Sequence, residues 1–351
     1  MRDRTQETAG KLESPKKIPV RKSPFKARGP DTLRSTCASE QAKIPIWFDC
    51  DTGVDDAIAL LLLRQLNCFD LVGVSTVAGN VELEKTTRNT LCVLELTGAK
   101  APVYRGASQP LIRDQIMAPE VHGKNGLGDV DLPQPSKQLE KKNAWDALYD
   151  AALAHAGELV LIAVGPMTNI GLALAKYKEL PSLLKRVVIM GGAAVGGNTT
   201  PSAEFNILVD PEAADILFNC GLAVTMCGLD MTLKAYLTTE ELDELGNLGS
   251  PQAVFARDCL QNALRYSLSL GQPGISLHDP AAVLYTADDS IFESFPAWIR
   301  VETKGGITYG KTVTDLYSDK KMPERKHIVV TDVDREAFKA RIFSLMEKYG
   351  S

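Results

Sequence analysis

Ile44-Pro45-Ile46-Trp47-Phe48-Asp49-Cys50-Asp51-Thr52-Gly53-Val54-Asp55-Asp56-Ala57-Ile58-Ala59-Leu60-Leu61-Leu62-Leu63-Arg64-Gln65-Leu66 is the stretch that decides the fold. A short apolar run ends in two aspartates, and an amphipathic helix follows at once with acids in its first turn. That is a buried strand feeding a helix. The same unit recurs downstream. Phe69 to Val77 reads as a strand, Glu82 to Leu96 as a helix, Pro102 to Tyr104 as a short strand, and Ala144 to Ala156 as a helix. Leu159 to Val164, Val187 to Met190 and Ala223 to Met226 read as strands, with helices at Asn169 to Lys176 and Asp210 to Asn219 between them. Alternation of this kind predicts an α/β fold, a single-domain, mainly parallel open sheet with helices on both faces. Ligands of such sheets bind beyond the carboxyl ends of the strands. Those ends are Asp49/Asp51, Ala78-Gly79-Asn80, Val164-Gly165-Pro166 and Met190-Gly191-Gly192. Residues 106–143 form a loop too long to be idle, read as a lid over substrate.

Bulk properties narrow the function classes. The chain has 351 residues, 44% hydrophobic and 24% charged, an ordinary globular composition. The longest apolar run, Ala57 to Leu63, is too short for a membrane span. Net charge is -5, but residues 1–43 hold 11 Lys/Arg against 5 Asp/Glu, so the remainder carries about -11. An acidic body argues against a nucleic-acid groove, which needs Lys and Arg on phosphates. Residues 1–43, rich in Pro, Lys and Ser, read as a disordered basic tail, and 44–351 as the catalytic domain. An organellar transit peptide is the alternative for the tail; Glu7, Glu13 and Asp31 count against it. The seven cysteines (37, 50, 68, 92, 220, 227, 259) show no zinc-type spacing and read as reduced, buried thiols of a cytoplasmic protein.

Four carboxylates within eight residues, Asp49, Asp51, Asp55 and Asp56, repel one another unless a cation joins them. Several hard oxygen ligands suit Ca²⁺ or Mg²⁺ rather than zinc. Helix capping alone explains one or two of these acids. A phosphatase with an Asp-x-Asp nucleophile is a rival, but Gly53 stands where that pattern prefers Thr or Val, and Asp55-Asp56 falls outside it.

Asp49-x-Asp51-x-Gly53-x-Asp55-Asp56-Ala57 resembles the N-terminal fingerprint of the inosine-uridine-type nucleoside hydrolases. Further segments of that family follow in order: Val77-Ala78-Gly79-Asn80, His122-Gly123-Lys124-Asn125-Gly126-Leu127-Gly128, Val164-Gly165-Pro166-Met167-Thr168-Asn169, Met190-Gly191-Gly192, Asn198, Glu204-Phe205-Asn206, Asp210-Pro211 and His278-Asp279. The resemblance covers roughly 44–340. It departs at Thr52, where many members have Pro, and at Asn125, often Asp.

The resemblance implies a calcium-dependent N-ribohydrolase with the family's Rossmann-like fold. Ca²⁺ would be held by Asp51, Asp56, Asp279 and the carbonyl of Val164. Asp51 would act as general base on a water that attacks the anomeric carbon through an oxocarbenium-like transition state, with inversion. Asp55, Asn80, Asn198, Glu204 and Asn206 would hold ribose, with Met190 in the ribose wall. His278 would face the base and donate a proton, and His122 would close from the loop. For Tyr266, a place near the base and core packing stand level. His155 and His327 read as structural. No tryptophan falls in the loop around His122, which favours a pyrimidine or mixed inosine/uridine preference over purine-only. The expected partners are a ribonucleoside and further copies of the chain, in a homodimer or homotetramer. A silent ribonucleoside-binding protein is the non-enzyme alternative, and the full set of carboxylates speaks against it.

Overall fold

The computed structural model describes residues 43–316 and 326–350; the first 42 residues, where the tail expectation falls and where Cys37 lies, are outside them. In chain order the strands are β1 (Ile44–Cys50), β2 (Phe69–Thr76), β3 (Val103–Arg105), β4 (Leu159–Ala163), β5 (Leu184–Met190), β6 (Val224–Cys227), β7 (Tyr236–Leu237), β8 (Ile275–Ser276), β9 (Phe292–Val301), β10 (Thr312–Asp315) and β11 (His327–Val333). Nine of them form one sheet in the order β10-β9-β11-β6-β5-β4-β1-β2-β3, while β7 and β8 make a separate antiparallel pair.

Every pairing from β3 across to β11 is parallel; only β9 and β10 run against their neighbours. β1 is buried along its whole length. Its residues alternate between two cores, as a strand covered on both faces must. Ile46 and Phe48 pack with Leu60, Leu94, Leu260 and Val283 on one side, and Trp47 packs with Leu148, Leu161, Ile170 and Phe218 on the other. Gly73 is glycine for this packing: a Cβ there would fall 2.4 Å from the Trp47 ring.

The order 3-2-1-4 places the reversal of strand progression between β1 and β4. A crevice opens at such a point because the connections leaving the two strands go to opposite faces. Asp51 and Val164 stand just beyond the carboxyl ends of those two strands. The 106–143 loop is less featureless than its composition implied. It contains a helical turn at Pro119–His122, and Glu140 bridges back to Tyr104. Two further sequence readings need adjustment. The antiparallel edge of β9 and β10 was not anticipated, and Cys68 is in a disulfide rather than reduced. Cys50, Cys92, Cys220, Cys227 and Cys259 are free thiols, as expected.

Candidate active site

The site is built where β1 hands over to the helix Val54–Gln65. Asp56, in the first turn of that helix, folds its carboxylate back over the turn. Its Oδ1 accepts from the Asp51 N–H at 3.2 Å, and its Oδ2 accepts from the Gly53 N–H at 2.9 Å and from Asn80 Nδ2 at 3.2 Å. Asp51 Oδ2 accepts from the Asn80 N–H at 2.7 Å. Asp51 Oδ1 is buried and has no hydrogen-bond partner. Asp279 arrives from the first turn of the helix His278–Ala287. Asp55, Asp56 and Asp279 each present a carboxylate oxygen, all within 4.8 Å of one another.

Such a cluster is unfavourable as bare anions. Burial, then Asp55, pushes the Asp56 carboxyl up to about 7. Burial and the charge of Asp56 raise Asp51 well above the carboxylate range, and burial with Asp55, Asp56 and Asp51 does the same to Asp279. Among the described residues no Lys or Arg forms an ion pair with any of the four. Two agents relieve the repulsion: protons, or a divalent cation in their place. The donor set is all oxygen, and Asp51 Oδ1 is an orphaned acceptor, so the residues present fit a hard cation. The Val164 carbonyl accepts from Asn206 Nδ2 at 2.7 Å, which leaves it one lone pair to offer.

Asp49 does not belong to this cluster. Its Oδ2 accepts from Ser75 Oγ and from Asn169 Nδ2 (2.8 Å), and Ser75 Oγ in turn accepts from Trp47 Nε1 at 2.8 Å. Burial pushes its carboxyl up to about 7 against those two hydrogen bonds. Spacing alone grouped Asp49 with the other three acids; the fold sends it into its own buried network, and Asp279, which the family resemblance had put in the ligand set, lies in the cluster instead.

The glycines here are conditions of close approach. A Cβ at Gly79 would lie 2.1 Å from Asp51 Oδ2, one at Gly165 2.7 Å from Asp51 Oδ1, and one at Gly53 2.3 Å from His122 Nδ1. His122 is buried, and its Nδ1 accepts from the Val54 N–H at 3.2 Å. Its proton is therefore on Nε2, and burial holds its pKa below the usual imidazole value. His278 Nδ1 pairs with Thr232 Oγ1 at 2.8 Å, and burial lowers its pKa too, against the pull of Asp55. The charge of His278 adds to the lowering at His122.

The carboxyl end of β5 supplies the second wall. Glu204 caps the turn Phe205–Val209 and accepts from the N–H groups of Asn206 (2.9 Å), Ile207 (3.1 Å) and Gly192 (2.8 Å). Burial nonetheless pushes its carboxyl up to about 7. Asn206 Nδ2 also reaches the Met190 carbonyl at 3.1 Å. Asn198 is exposed, and its Oδ1 is engaged by the Phe205 N–H at 3.0 Å. Tyr266 is exposed near the C-terminal end of the helix Pro251–Ser269, which removes core packing as its role.

Sequence reasoning missed the inner face of the helix Leu83–Thr97. Thr86, Thr87, Asn89 and Thr90 are all buried on it. The signal was available: the run of five polar residues Thr86-Thr87-Arg88-Asn89-Thr90 interrupts the stripe that should have been apolar.

A doubly wound sheet with buried acids at its switch point defines an α/β protein whose oxygen donors suit a metal. Comparison with known proteins identifies its family. Residues 46–340 match the family model for inosine-uridine preferring nucleoside hydrolase. The chain is 40% identical over 297 residues to a pyrimidine-specific ribonucleoside hydrolase, RihA, of Photobacterium profundum, covering 84% of this chain and 96% of that one. It is 39% identical over 298 residues to RihA of Escherichia coli, again covering 84% and 96%. Among solved structures it resembles a purine-preferring ribonucleoside hydrolase from Gardnerella vaginalis, with a TM-score of 0.81 and 33% identity over 87% of this chain and 99% of the other. A plant nucleoside hydrolase gives 0.82 at 29% identity over 87% and 99%. The chain belongs to the nucleoside hydrolase family: it is a hydrolase acting on N-glycosyl compounds, with nucleosides as its substrates. The Asp-x-Asp phosphatase and silent-binder alternatives fall away. Among the described residues no helix is long and apolar enough to cross a membrane.

Proposed function

We propose that this protein is a calcium-dependent ribonucleoside N-hydrolase that prefers pyrimidine bases. The observation that carries the metal reading is Asp51 Oδ1, buried and unpartnered beside Asp56, with no Lys or Arg among the described residues paired to either acid. Asp51, Asp56, Asp279 and the Val164 carbonyl are the proposed ligands, with Asp55 close enough to serve the cation or a ribose hydroxyl. Calcium bound there supplies charge compensation and fixes the position of water and ribose.

The chain's own groups do the rest. Asp51 takes a proton from a water at its free oxygen as that water adds to the anomeric carbon. The glycosidic C–N bond breaks with its electron pair going to the base. Asn80, Glu204 and Asn206 line the ribose, Met190 packs beside them, and Asn198 reaches it from the loop above. His278 Nδ1 pairs with the Thr232 hydroxyl; in the tautomer in which that hydroxyl donates, the ring hydrogen sits on Nε2, available to the departing base. His122 closes the site over the loop at Gly53, and Tyr266 borders the base from its exposed helix. Pyrimidine preference is supported by the curated relatives at 39 to 40% identity, which are pyrimidine-specific, and by the absence of tryptophan from the residues around His122. The remaining features we assign are a homodimer or homotetramer, a cytoplasmic location, no nucleic-acid or membrane partner, and a catalytic domain of residues 44–351 behind a separate tail.

Release of reducing sugar from uridine, cytidine, inosine and adenosine tests the reading. The expected result is faster release from uridine and cytidine. Faster release from inosine and adenosine would overturn the base preference while leaving the reaction intact.

A further inference from the structure

The buried polar face of the helix Leu83–Thr97 touches three of the segments that build the site: the end of β2, the aspartate loop and the loop that carries His122. Thr87 Oγ1 pairs with Thr76 Oγ1 at 2.8 Å, at the end of β2. Thr86 Oγ1 donates to the Val77 carbonyl at 2.9 Å, just before the Gly79-Asn80 turn that holds Asp51. Thr90 Oγ1 and Thr52 Oγ1 lie 2.6 Å apart, and Thr90 donates on to the Thr86 carbonyl at 2.8 Å.

Asn89 does something different. Its one Nδ2 group donates to the Thr52 carbonyl at 3.1 Å and to the Asn125 carbonyl at 2.8 Å. The first lies in the aspartate loop, between Asp51 and Gly53. The second lies in the loop that carries His122. Both acceptors are carbonyls, so the amide orientation is forced: only the NH₂ end satisfies them. Its Oδ1 is buried with no partner, and the residue is 1% exposed. A side chain that leaves its own acceptor unsatisfied to bring two backbone carbonyls together is a costly arrangement for mere filling. Gly126 makes room for it: a Cβ there would meet Asn89 Nδ2 at 2.7 Å. The 123–130 loop is itself internally wound. Asn125 Oδ1 accepts from the Leu127 and Asp129 N–H groups, its Nδ2 donates to the Val130 carbonyl, and the Gly128 N–H donates to the His122 carbonyl. It therefore moves as a unit, and a tether at Asn125 acts on His122.

We propose that Asn89 is a positioning residue that couples the aspartate loop to the His122 loop, so that order in either one favours order in the other. Asn89 reaches the chemistry only through Thr52 and Asn125, and never touches the reacting atoms. The calcium arm of the test below rests on the metal reading of the preceding section; the metal-free arm does not. Coupling of this kind is reciprocal. Calcium that orders the aspartate loop tightens the His122 loop, and losing Asn89 loosens both.

The test is amide hydrogen exchange on the full chain, wild type against N89A and N89D, with and without calcium, beside calcium titration by calorimetry. In wild type, calcium is expected to slow exchange at Gly126 to Gly128, away from the carboxylates. In N89A it should still bind, with affinity lowered about 5- to 20-fold, in the lower range of ordinary site-to-site couplings, and no longer slow exchange in that segment. N89D keeps the side chain's size but sets a carboxylate against two carbonyls, so it should lose at least as much. Calcium binding to wild type with exchange at Gly126 to Gly128 unchanged would overturn the proposal without any variant. If wild type shows no calcium heat, the metal reading fails, and the metal-free comparison decides the coupling. Faster exchange in N89A at both Gly53-Val54 and Gly126 to Gly128 supports it; a change confined to one segment refutes it.

Discussion

Replacing Gly79 by alanine puts a methyl group 2.1 Å from Asp51 Oδ2 and 2.8 Å from Asp51 Cγ. Ordinary contact begins near 3.4 Å, so about 1.3 Å of displacement is needed. On the far side the same methyl meets Pro166 Cδ at 2.8 Å, so the turn cannot retreat that way. The carboxylate must move, and in moving it breaks its 2.7 Å hydrogen bond from the Asn80 N–H. Misplacing a catalytic group by about 1 Å costs on the order of 10²-fold in rate. G79A should therefore lower kcat for a good nucleoside substrate about 100-fold. Calcium affinity should fall too, because Asp51 is a proposed ligand. The fitting control is G157A. Gly157, unlike Gly79, has a positive φ, 77°, and nothing lies within 4 Å of its would-be Cβ. That variant should lose about 1 kcal/mol of stability from backbone strain and no activity. Steady-state kinetics and thermal unfolding of both variants separate the two effects. A G79A enzyme with kcat within about threefold of wild type would show that the Asp51 position is not what the rate depends on.

Other perturbations test separate parts of the account. D51A should fold normally and lose at least about 10³-fold in kcat, within the range expected for a general base; retained turnover in a metal-saturated assay would remove Asp51 from the mechanism. 2′-Deoxyuridine should be hydrolysed at least about 10³-fold less efficiently than uridine, because a missing hydroxyl strands buried polar groups; comparable kcat/KM values would contradict the ribose assignment. S75A should cost about 1 to 3 kcal/mol in chemical denaturation, since it leaves Trp47 Nε1 and Asp49 Oδ2 each short of a partner inside the core. His327 offers a pH test remote from the acids. Burial depresses it to about 4, and its Nδ1 accepts from the Val224 N–H at 3.2 Å, which a protonated ring cannot do. A depressed folded pKa means stability present above the unfolded value of about 6.5 and lost as pH falls toward 4, to an upper limit of about 3 kcal/mol. H327Q should flatten that part of the pH–stability curve, and an unaltered curve would exclude His327 as its source.

The legible and illegible parts of this chain differ for physical reasons. β1 and the helix after it, Val54–Gln65, were readable because apolar periodicity and first-turn acids are local signals. Asp56 and Asp279 emerged because a motif fixes position in sequence. Asp49 was misgrouped because spacing does not say where a side chain turns, and Ser75 and Asn169, which claim it, lie 26 and 120 residues away. Tyr266 could not be placed because a helix has two faces, and only the packing of Pro251–Ser269 shows which one carries it outward. The β9–β10 edge escaped because an antiparallel extension carries no helix between its strands to announce it. Asn89 escaped because a buried polar residue on a helix looks like a break in pattern until its two carbonyl partners are known.

The most direct measurement is ribose release from uridine by enzyme treated with EGTA, before and after calcium is restored. The account predicts near-zero turnover in chelator and full recovery on adding calcium, with less from magnesium, which is smaller and holds its water more tightly. Turnover undiminished by EGTA, in protein shown by elemental analysis to be metal-free, would mean that the buried acids work as protonated and ionised carboxyls alone, and the central claim would be wrong.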